Sequence, residues 1–322
     1  MKAIRIHQTG GPEVLRYEDV PDPTLARGEA LVKIAAAGVN FIDVYFRTGL
    51  YPYAIPGTLG LEAAGTVAAV GDDVRDVRPS DRVAYSGVPG AYAEMSVVPA
   101  DRLVKLPDSV SFRDGAAAML QGMTAHYLAT STYALRTGDT CLVHAAAGGV
   151  GLLLCQIAKL RGATVIGTTS SAEKAALARD AGADHVILYT KESFRDETRR
   201  LTNGAGVHAV YDGVGKTTFM EGLDCLRPRG TMVLFGQSSG PVPPFDLSLL
   251  NLKGSLYVTR PSLNHYTASR EELVARATDV LGWIAAGKLR LRVEHEFPLR
   301  DVAEAHRALE GRRTTGKVVL IP

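Results

Sequence analysis

Residues 141–151 read CLVHAAAGGVG and combine an apolar run with three closely spaced glycines. The apolar residues predict a strand over Thr140–Val143, and a second apolar run at helical spacing predicts a helix over Val150–Arg161. A turn of small residues lets the backbone approach a pyrophosphate, which the unpaired N–H groups of the following helix attract. The pattern therefore predicts a dinucleotide site, although Ala146 replaces its usual first glycine and an ordinary strand–helix turn is the alternative. The cofactor contacts expected in this turn are Ala147, Gly148, Gly149 and Val150.

The end of the next predicted strand, Thr164–Thr168, indicates which nucleotide binds. An NAD site usually has an Asp or Glu there to bind the ribose 2′-hydroxyl, and such a carboxylate would repel a 2′-phosphate. Here the chain continues with hydroxyl residues and Lys174, which would bind a phosphate instead. The sequence therefore favours NADPH, with Ser170 and Lys174 at the 2′-phosphate; the alternative is that Lys174 is a solvated helix lysine.

These residues require an alternating chain of strands and helices to position them. From Gly122 to Thr259 strand-like and helix-like runs alternate, which is typical of a parallel, doubly wound sheet. The first 120 residues instead contain many short strand-like runs and glycine turns, typical of a small barrel. A last strand at residues 316–321 needs a sheet to join, and the barrel is the candidate. We therefore predict an α/β protein in which a Rossmann-type sheet is inserted in a discontinuous, mostly β, barrel-like catalytic domain, with divisions at 1–122, 123–261 and 262–322.

Two local expectations can be compared directly with the structure. The alanine-rich helix that opens at Ser111 is expected to end before Gly122, with a separate helix over Thr124–Thr130. Residues Leu252–Thr259 are expected to form an apolar strand at the edge of the nucleotide-binding sheet.

The composition is that of an ordinary soluble enzyme. The 322 residues carry a formal net charge of +2, with 22% charged and 46% hydrophobic residues. No dense Lys/Arg stripe, leader peptide or membrane-spanning apolar run is evident, so nucleic-acid or membrane binding is not expected as the main activity. The three cysteines are scattered among apolar residues and indicate buried thiols in a reducing compartment, so a cytoplasmic protein is expected.

Nine stretches in order along the chain resemble the zinc-free quinone oxidoreductases, the zeta-crystallin group of the medium-chain dehydrogenase/reductase superfamily. The stretches are GGPEVL (10–15), AAGVNFIDVYFRTGLYP (36–52), PGTLGLEAAGTV (56–67), SDRVAY (80–85), HAAAGGVG (144–151), YDGVG (211–215), GTMVLFGQSSG (230–240), LKGSLYVTRPSL (252–263) and TTGKVVLIP (314–322). The resemblance spans essentially the whole chain and implies a zinc-independent oxidoreductase.

The residues at the positions of the zinc ligands support that implication. Zinc dehydrogenases of this superfamily bind the metal through a cysteine, a histidine and a later cysteine, whose places here are taken by Asn40, Leu61 and Gln121. Leucine cannot ligate a metal and amides are poor zinc ligands, so we expect no metal site. Without a Lewis acid, hydride transfer to an acceptor that is already electron-poor is favoured over alcohol oxidation. The nearby acids Asp43 and Glu62 are expected to orient other groups.

The resemblance and the predicted topology also imply particular site residues. Asn40, Tyr45 and Tyr51 match residues that line the nicotinamide and substrate pocket, where an amide or a phenol could donate to a developing oxyanion. The tyrosines could equally be amphipathic boundary residues. His144, at a strand end, is expected to be structural and not an acid catalyst. The further expected contacts are Thr124 near the nicotinamide, Tyr189 and Arg312 on the phosphate side, Phe235 and Ser238 at a strand end, and Val258 with Arg260 where the chain leaves the nucleotide domain, Arg260 being a candidate oxygen or phosphate partner.

The leading hypothesis is an NADPH-dependent quinone reductase that acts in a cleft between its domains. An NADPH-dependent enone or alkenal double-bond reductase is the nearest alternative, because the pocket chemistry would be the same. A non-enzymatic nucleotide- or RNA-binding role, known in some zeta-crystallin relatives, is a third alternative that the balanced charge disfavours. The resemblance also implies a homodimer formed through the edge strand near residue 257.

Overall fold

The computed structural model describes residues 1–322. The strands are β1 (Lys2–Ile6), β2 (Arg16–Asp19), β3 (Glu29–Val39), β4 (Gly57–Thr58), β5 (Glu62–Val70), β6 (Arg82–Ser86), β7 (Met95–Pro99), β8 (Val104–Lys105), β9 (Thr140–Val143), β10 (Thr164–Thr169), β11 (His185–Leu188), β12 (Val207–Asp212), β13 (Leu226–Leu234), β14 (Tyr257–Thr259), β15 (Val293–Pro298) and β16 (Lys317–Ile321). The α-helices are α1 (Phe41–Thr48), α2 (Phe112–Tyr127), α3 (Gly149–Leu160), α4 (Ala172–Asp180), α5 (Phe194–Leu201), α6 (Phe219–Cys225), α7 (Ser248–Leu252), α8 (Leu263–Tyr266), α9 (Arg270–Ala285) and α10 (Val302–Glu310).

The chain forms two compact units, which we call unit 1 and unit 2. Unit 1 consists of Met1–Met123 and Thr267–Pro322, and unit 2 of Thr124–Tyr266. Unit 2 is therefore one continuous piece of chain, whereas unit 1 needs both ends of the sequence. No helix in the structure is both long and apolar enough to cross a lipid bilayer.

Unit 2 is built on a six-stranded parallel sheet in the order β11-β10-β9-β12-β13-β14. Strand order runs outward from β9 in one direction and then restarts beside it at β12. The carboxyl ends of β9 and its neighbours thus meet at the point where the order reverses, which is where open α/β sheets bind ligands. Buried apolar side chains from the strands and from α5 and α6 fill the core, and the predicted doubly wound sheet is confirmed.

Unit 1 is mostly β-structure. A seven-stranded sheet has the order β15-β16-β3-β5-β6-β8 with β7 also paired to β3, and β2-β1-β4 form a second sheet. The last strand, β16, lies antiparallel to β3, with Val318 opposite Val39 and Leu320 opposite Ala37. The carboxy-terminal segment therefore completes the amino-terminal sheet, as the sequence predicted.

The predicted break in the helix near Gly122 is wrong, because α2 runs without interruption through this residue. A Cβ atom at Gly122 would lie 2.7 Å from the Cγ1 atom of Val280. The glycine therefore allows α2 to pack closely against α9 and does not end the helix.

The predicted strand over Leu252–Thr259 is also too long. Leu252 ends helix α7, and the chain then turns through Gly254 and Ser255, whose φ angles are +111° and +55°. Such left-handed conformations interrupt an extended strand. Only Tyr257–Thr259 pairs with β13, and it forms the edge of the sheet, as predicted.

Candidate active site and nucleotide site

The glycine turn connects β9 to α3 at the carboxyl edge of the unit 2 sheet. Gly148 precedes the helix in extended conformation, and no side chain caps the helix or places an acid in its first turn. A Cβ atom on Gly151 would lie 2.3 Å from the carbonyl oxygen of Ala145, so only glycine allows this close approach of helix and turn. The uncapped N-terminus of α3 is suited to an anionic group such as a pyrophosphate.

The carboxyl ends of β10 and β11 bring Ser170, Lys174 and Tyr189 to the same edge. These parallel strands are in register at Thr169 and Leu188, and the backbone N–H of Tyr189 donates to the carbonyl of Thr169 at 3.2 Å. Ser171 caps α4 by accepting from the backbone N–H of Lys174, which fixes the start of the helix that carries the lysine. The three predicted contacts thus follow the ends of two neighbouring strands, β10 and β11, and β10 ends without a carboxylate.

Only some of the hydroxyl groups in this segment are available to a ligand. Thr168 is buried with its hydroxyl 3.0 Å from Nδ1 of His144, and the hydroxyl of Thr169 bonds to the carbonyl of Ser171. Ser170 uses its carbonyl to accept from Thr190 but leaves its hydroxyl without a partner in the protein. Of the run of hydroxyl residues, Ser170 is therefore the one suited to bind a phosphate.

His144 has a structural environment. Its ring is buried, lies edge-on to Phe194 with centroids 4.8 Å apart, and bonds to Thr168. Burial lowers its pKa, so the imidazole is held neutral. This placement agrees with its exclusion as an acid catalyst.

The carboxyl ends of β12 and β13 are tied together by backbone bonds. The Asp212 carbonyl accepts from the N–H of Phe235, while the Gly213 carbonyl accepts from the N–H of Ser238. The Asp212 carboxylate accepts from Val214, Gly215 and Thr218 and thereby holds the first of these loops. Both predicted contacts, Phe235 and Ser238, are thus fixed at the ligand-binding edge of the sheet.

The remaining predicted contacts are distributed over both units. Val258 lies in the exposed edge strand β14, and Arg260 follows it with Nη1 donating to the Leu234 carbonyl at 3.0 Å. Thr124 is buried in α2. Arg312 belongs to unit 1, in an exposed turn with φ of +57°.

Unit 1 contains a buried cluster of Asn40, Glu62 and Lys317, which we call the internal ion-pair cluster. The Lys317 ammonium donates to Glu62 Oε2 at 2.5 Å and to Asn40 Oδ1 at 2.8 Å. Asn40 Nδ2 donates to the same Glu62 oxygen at 2.9 Å, which closes a ring of hydrogen bonds. The second carboxylate oxygen accepts from the backbone N–H of Leu120 at 2.6 Å. The cluster thus connects β5, β16 and α2 with the junction between β3 and α1.

The tyrosines predicted from the 36–52 stretch lie on α1, which begins directly after Asn40, and on the turn that follows it. Tyr45 and Tyr51 contact each other edge to face, with ring centroids 5.2 Å apart, and the backbone N–H of Tyr51 donates to the Tyr45 carbonyl. Asp43 accepts from the backbone N–H of Asn40 at 2.8 Å and so caps α1. The helix start therefore holds Asn40, and the orienting role predicted for Asp43 and Glu62 agrees with these contacts.

A second buried network begins at Asp43. The Tyr92 hydroxyl donates to Asp43 Oδ2 at 2.8 Å and lies 3.4 Å from Nε2 of His306. Arg47 Nη1 faces Nδ1 of His306 at 3.2 Å, and both Nη atoms bond to Glu310 at 2.8 Å. Since a guanidinium can only donate, Nδ1 of His306 accepts and its proton is on Nε2.

Burial shifts the pKa values of His306 and Asp43, at the two ends of this network, in the directions that favour the neutral form of each side chain. The pKa of His306 falls to about 3, through burial first and the Arg47 charge second. The pKa of Asp43 rises to about 7 because burial outweighs its hydrogen bonds from Tyr92 and Asn40. These shifts make the folded state sensitive to pH.

We expect a His306→Asn variant to lose less stability in acid than the wild type. The unfolded histidine binds a proton at its ordinary pKa of 6.5 and the folded one only near 3. Its contribution is therefore complete above pH 6.5 and is lost as the pH falls toward 3. Asp43 has the opposite effect: its contribution is complete below pH 3.8 and is lost as the pH rises toward 7.

The measurement is the free energy of unfolding in urea from pH 4 to pH 7. The difference between wild type and His306→Asn should shrink on acidification by on the order of 1 kcal/mol per pH unit below 6.5. A matched His265→Asn variant, at an exposed histidine, should run parallel to the wild type. Parallel curves for His306→Asn as well would contradict the assignment.

The side chains of this protein include no group of three or more His, Cys, Asp or Glu residues that could hold a metal ion. At the position where the family's zinc ligands are expected, Asn40 instead bonds to Glu62 and Lys317. The groups at this position are the Asn40 amide, the Glu62 carboxylate and the Lys317 ammonium. An ammonium repels a metal cation. The nucleotide edge of unit 2, in contrast, fits a dinucleotide that carries a 2′-phosphate.

Two family models match the chain. One, described as the alcohol dehydrogenase GroES-like domain, covers residues 26–108, and the other, described as zinc-binding dehydrogenase, covers residues 149–277. A quinone oxidoreductase of Pseudomonas aeruginosa is 48% identical over 100% of this chain and 99% of its own length. A 2-haloacrylate reductase of a Burkholderia species is 41% identical over 99% of this chain and 98% of its own length.

The fold agrees with these sequence matches. The crystal structure of Escherichia coli quinone oxidoreductase complexed with NADPH superimposes with a TM-score of 0.98, at 44% identity and with both chains covered completely. The chain is thus a medium-chain dehydrogenase/reductase. Within that superfamily it belongs to the quinone oxidoreductase group, as the sequence resemblance implied.

Sequence reasoning missed several residues of the two buried networks. Lys317 enters the prediction only as part of the TTGKVVLIP stretch, and no pattern in the sequence identifies Tyr92, His306 or Glu310. The available signal was a lysine at the start of an otherwise apolar strand, KVVLI, which is unusual for a core position. The residue that pairs with it, Glu62, is far away in sequence, so the pattern alone could not identify the ion pair.

Proposed function

We propose that this protein is an NADPH-dependent, zinc-independent quinone reductase. The observation that carries the proposal is the nucleotide edge of unit 2, where the Ser170 hydroxyl and Lys174 follow a strand end without a carboxylate. Membership in the quinone oxidoreductase group and a relative crystallised with NADPH support the same cofactor. The reaction consumes NADPH, one proton and a quinone and yields NADP⁺ and the hydroquinone.

The protein's own contribution is binding, orientation and charge stabilisation. When bound, NADPH supplies the two reducing electrons. The acceptor oxygen gains negative charge as it is reduced, and polar groups fixed before the reaction stabilise that charge without reorganisation. In unit 1 we propose that Tyr45 and Tyr51 face the acceptor and that Asn40 supports the site through its hydrogen bonds. In unit 2 we propose Arg260 as an oxygen partner. For the cofactor we propose Thr124, Ala147, Gly148, Gly149, Val150, Ser170, Lys174, Tyr189, Phe235, Ser238, Val258 and Arg312.

A double-bond reductase acting on α,β-unsaturated carbonyl compounds is the second candidate. The observation that favours it is the 41% identical 2-haloacrylate reductase. Reduction of a conjugated alkene also places negative charge on a carbonyl oxygen, so the same donors would serve.

One steady-state panel separates these candidates. NADPH and NADH are each offered with 1,4-benzoquinone, a naphthoquinone and a short alkenone, with and without a chelator. The proposal predicts the highest kcat/KM with NADPH and a quinone, and no effect of the chelator. A higher kcat/KM with the alkenone would establish the alternative, and no NADPH oxidation with any acceptor would refute both.

The nucleotide assignment predicts a selective effect of Lys174→Ala. Loss of a charge-assisted bond to the 2′-phosphate should raise the KM for NADPH roughly tenfold or more while changing that for NADH less than about twofold. Arg179→Ala, at the exposed end of the same helix, is the matched control and should change neither value. Equal increases for the two nucleotides would refute the role of Lys174.

We also propose a homodimer formed through β14. This strand is the unpaired edge of the unit 2 sheet, and its Tyr257 is 63% exposed. Leu247 and Leu252, at the two ends of the preceding helix α7, are 71% and 76% exposed. An exposed apolar edge of this kind is normally covered. Light scattering at micromolar concentration should give twice the chain mass of 34.3 kDa, and the mass of one chain would contradict the proposal.

A cytoplasmic location is part of the same proposal. All three cysteines are buried free thiols, which supports a reducing compartment.

A further inference from the structure

The internal ion-pair cluster uses the hydrogen-bonding capacity of Asn40 completely. Its two amide protons go to Glu62 Oε2 and the Gly38 carbonyl, at 2.9 and 3.3 Å. Its oxygen accepts from Lys317 Nζ and from Nε2 of Gln121, at 2.8 and 3.3 Å. A side-chain amide has two donors and two acceptor sites. Asn40 could therefore donate to a substrate only by breaking one of these bonds.

Gln121, which bonds to the internal ion-pair cluster through Asn40, still has unused hydrogen-bonding groups. Its single hydrogen bond is the one from Nε2 to Asn40 Oδ1. One amide proton and the carbonyl oxygen therefore have no partner within the protein.

The position of Gln121 on α2 makes the unused groups accessible. Residues 115–119 and 122–129 are buried, whereas Leu120 and Gln121 between them are partly exposed. The side chain thus lies at the one opening along an otherwise buried stretch of helix. Leu120 is itself fixed by its backbone bond to Glu62.

The cluster also determines which way the Gln121 amide is turned. Because Asn40 Oδ1 is held in place by the Lys317 ammonium, it can only accept, and Gln121 must present its NH₂ group to it. The opposite orientation would place two carbonyl oxygens against each other. The orientation of Gln121 therefore depends on Asn40, and that of Asn40 depends on Lys317 and Glu62.

We propose that Gln121 is a further catalytic residue, whose free amide N–H donates to the acceptor oxygen that becomes negative during reduction. In this arrangement Lys317 and Glu62 are positioning residues, and they act on Gln121 through Asn40. The inference deepens the proposed function and rests on it. Preorganised donors of this kind are effective because they need not reorient as charge develops.

The first test is Gln121→Met, which keeps an unbranched side chain of similar length but removes both polar groups. We expect kcat with 1,4-benzoquinone to fall by roughly 100- to 1000-fold, as for loss of one oxyanion donor. The dissociation constant of NADPH, from fluorescence titration, should stay within about twofold because the lost bond forms with the acceptor. The matched control is Gln156→Met on α3, where the amide donates to the Leu152 carbonyl and kcat should be unchanged. A Gln121→Met enzyme with wild-type kcat for both quinone and alkenone overturns the assignment.

The second test is a double-mutant cycle for the positioning role. The pair Glu62→Gln with Lys317→Met removes both charges together and avoids a stranded buried ion. If these residues act through Gln121, adding Gln121→Met to that pair should lower kcat by less than about threefold, because the donor is already misplaced. If the losses of kcat from the pair and from Gln121→Met are additive, the positioning role is overturned. It is also overturned if Lys317→Arg retains no more kcat than Lys317→Met. Wild-type enzyme that reduces no acceptor refutes the proposed function itself, which is a different outcome from an active but unaffected Gln121→Met.

Discussion

Replacing Lys317 by methionine should lower the free energy of unfolding by about 3–5 kcal/mol, because it leaves the Glu62 carboxylate buried without its counter-charge. Both side chains are essentially inaccessible to water, at 2% and 0% exposure. The carboxylate cannot turn toward solvent, since one oxygen is held by the Leu120 N–H and the other by Asn40. The measurement is urea unfolding at pH 7, followed by circular dichroism.

The control is the neutral pair in which Glu62→Gln accompanies Lys317→Met. With neither charge present, most of the lost stability should return, because a buried ion pair replaced as a whole is often close to neutral in energy. If the single and the double variant are equally destabilised, the loss comes from packing and the electrostatic explanation is wrong.

Replacing Gly151 by alanine should weaken NADPH binding by roughly 100-fold. The new Cβ would lie 2.3 Å from the Ala145 oxygen and 2.8 Å from the Ala146 Cα, and both are backbone atoms of the turn. Helix and turn must therefore move apart, and a displacement of about 1 Å in such a site can cost roughly 100-fold. We also expect a loss of about 1–3 kcal/mol in stability from overpacking. Fluorescence titration with NADPH and urea unfolding measure the two effects.

Gly282→Ala provides the comparison, because nothing lies within 4 Å of a Cβ at this position in α9. It should leave NADPH binding unchanged and add up to about 1 kcal/mol of stability, since alanine favours the helix more than glycine does. Tight NADPH binding by Gly151→Ala would show that the turn tolerates a side chain and would remove the steric basis of the assignment.

The parts of the fold that depend on local pattern were predictable. The strand Thr140–Val143 begins and ends where its apolar run indicated. In an α/β unit, each strand is a short apolar run between turn residues, so the residues on either side of the run indicate where the strand begins and ends. The failures at Gly122 and Leu252 have a different origin. One glycine is required by packing against Val280, and the strand is shortened by left-handed backbone at residues 254 and 255.

The candidate site was predictable to a different extent in each unit. Ser170, Lys174 and Tyr189 follow strand ends, and the rule that parallel strands place their carboxyl ends together brought them to one edge. The internal ion-pair cluster depends on the pairing of β16 with β3, which joins residues more than 270 positions apart in the chain, as Asn40 and Lys317 show. The sequence predicted that Asn40 donates to the acceptor, but every hydrogen bond of its amide is made inside the protein. Asn40 therefore acts as a support for its neighbour Gln121.

The position of β16 between β15 and β3 has a consequence for biosynthesis. Residues 317–321 are synthesised after every other strand of unit 1, yet they pair between β15 and β3 and carry the buried Lys317 cation. Unit 2 is continuous, so it can fold while the chain is still growing. Unit 1 can complete its sheet only after these residues are synthesised, and Glu62 lacks its Lys317 partner until then. A nascent chain truncated before Lys317 should therefore contain a folded unit 2 and an incomplete sheet in unit 1.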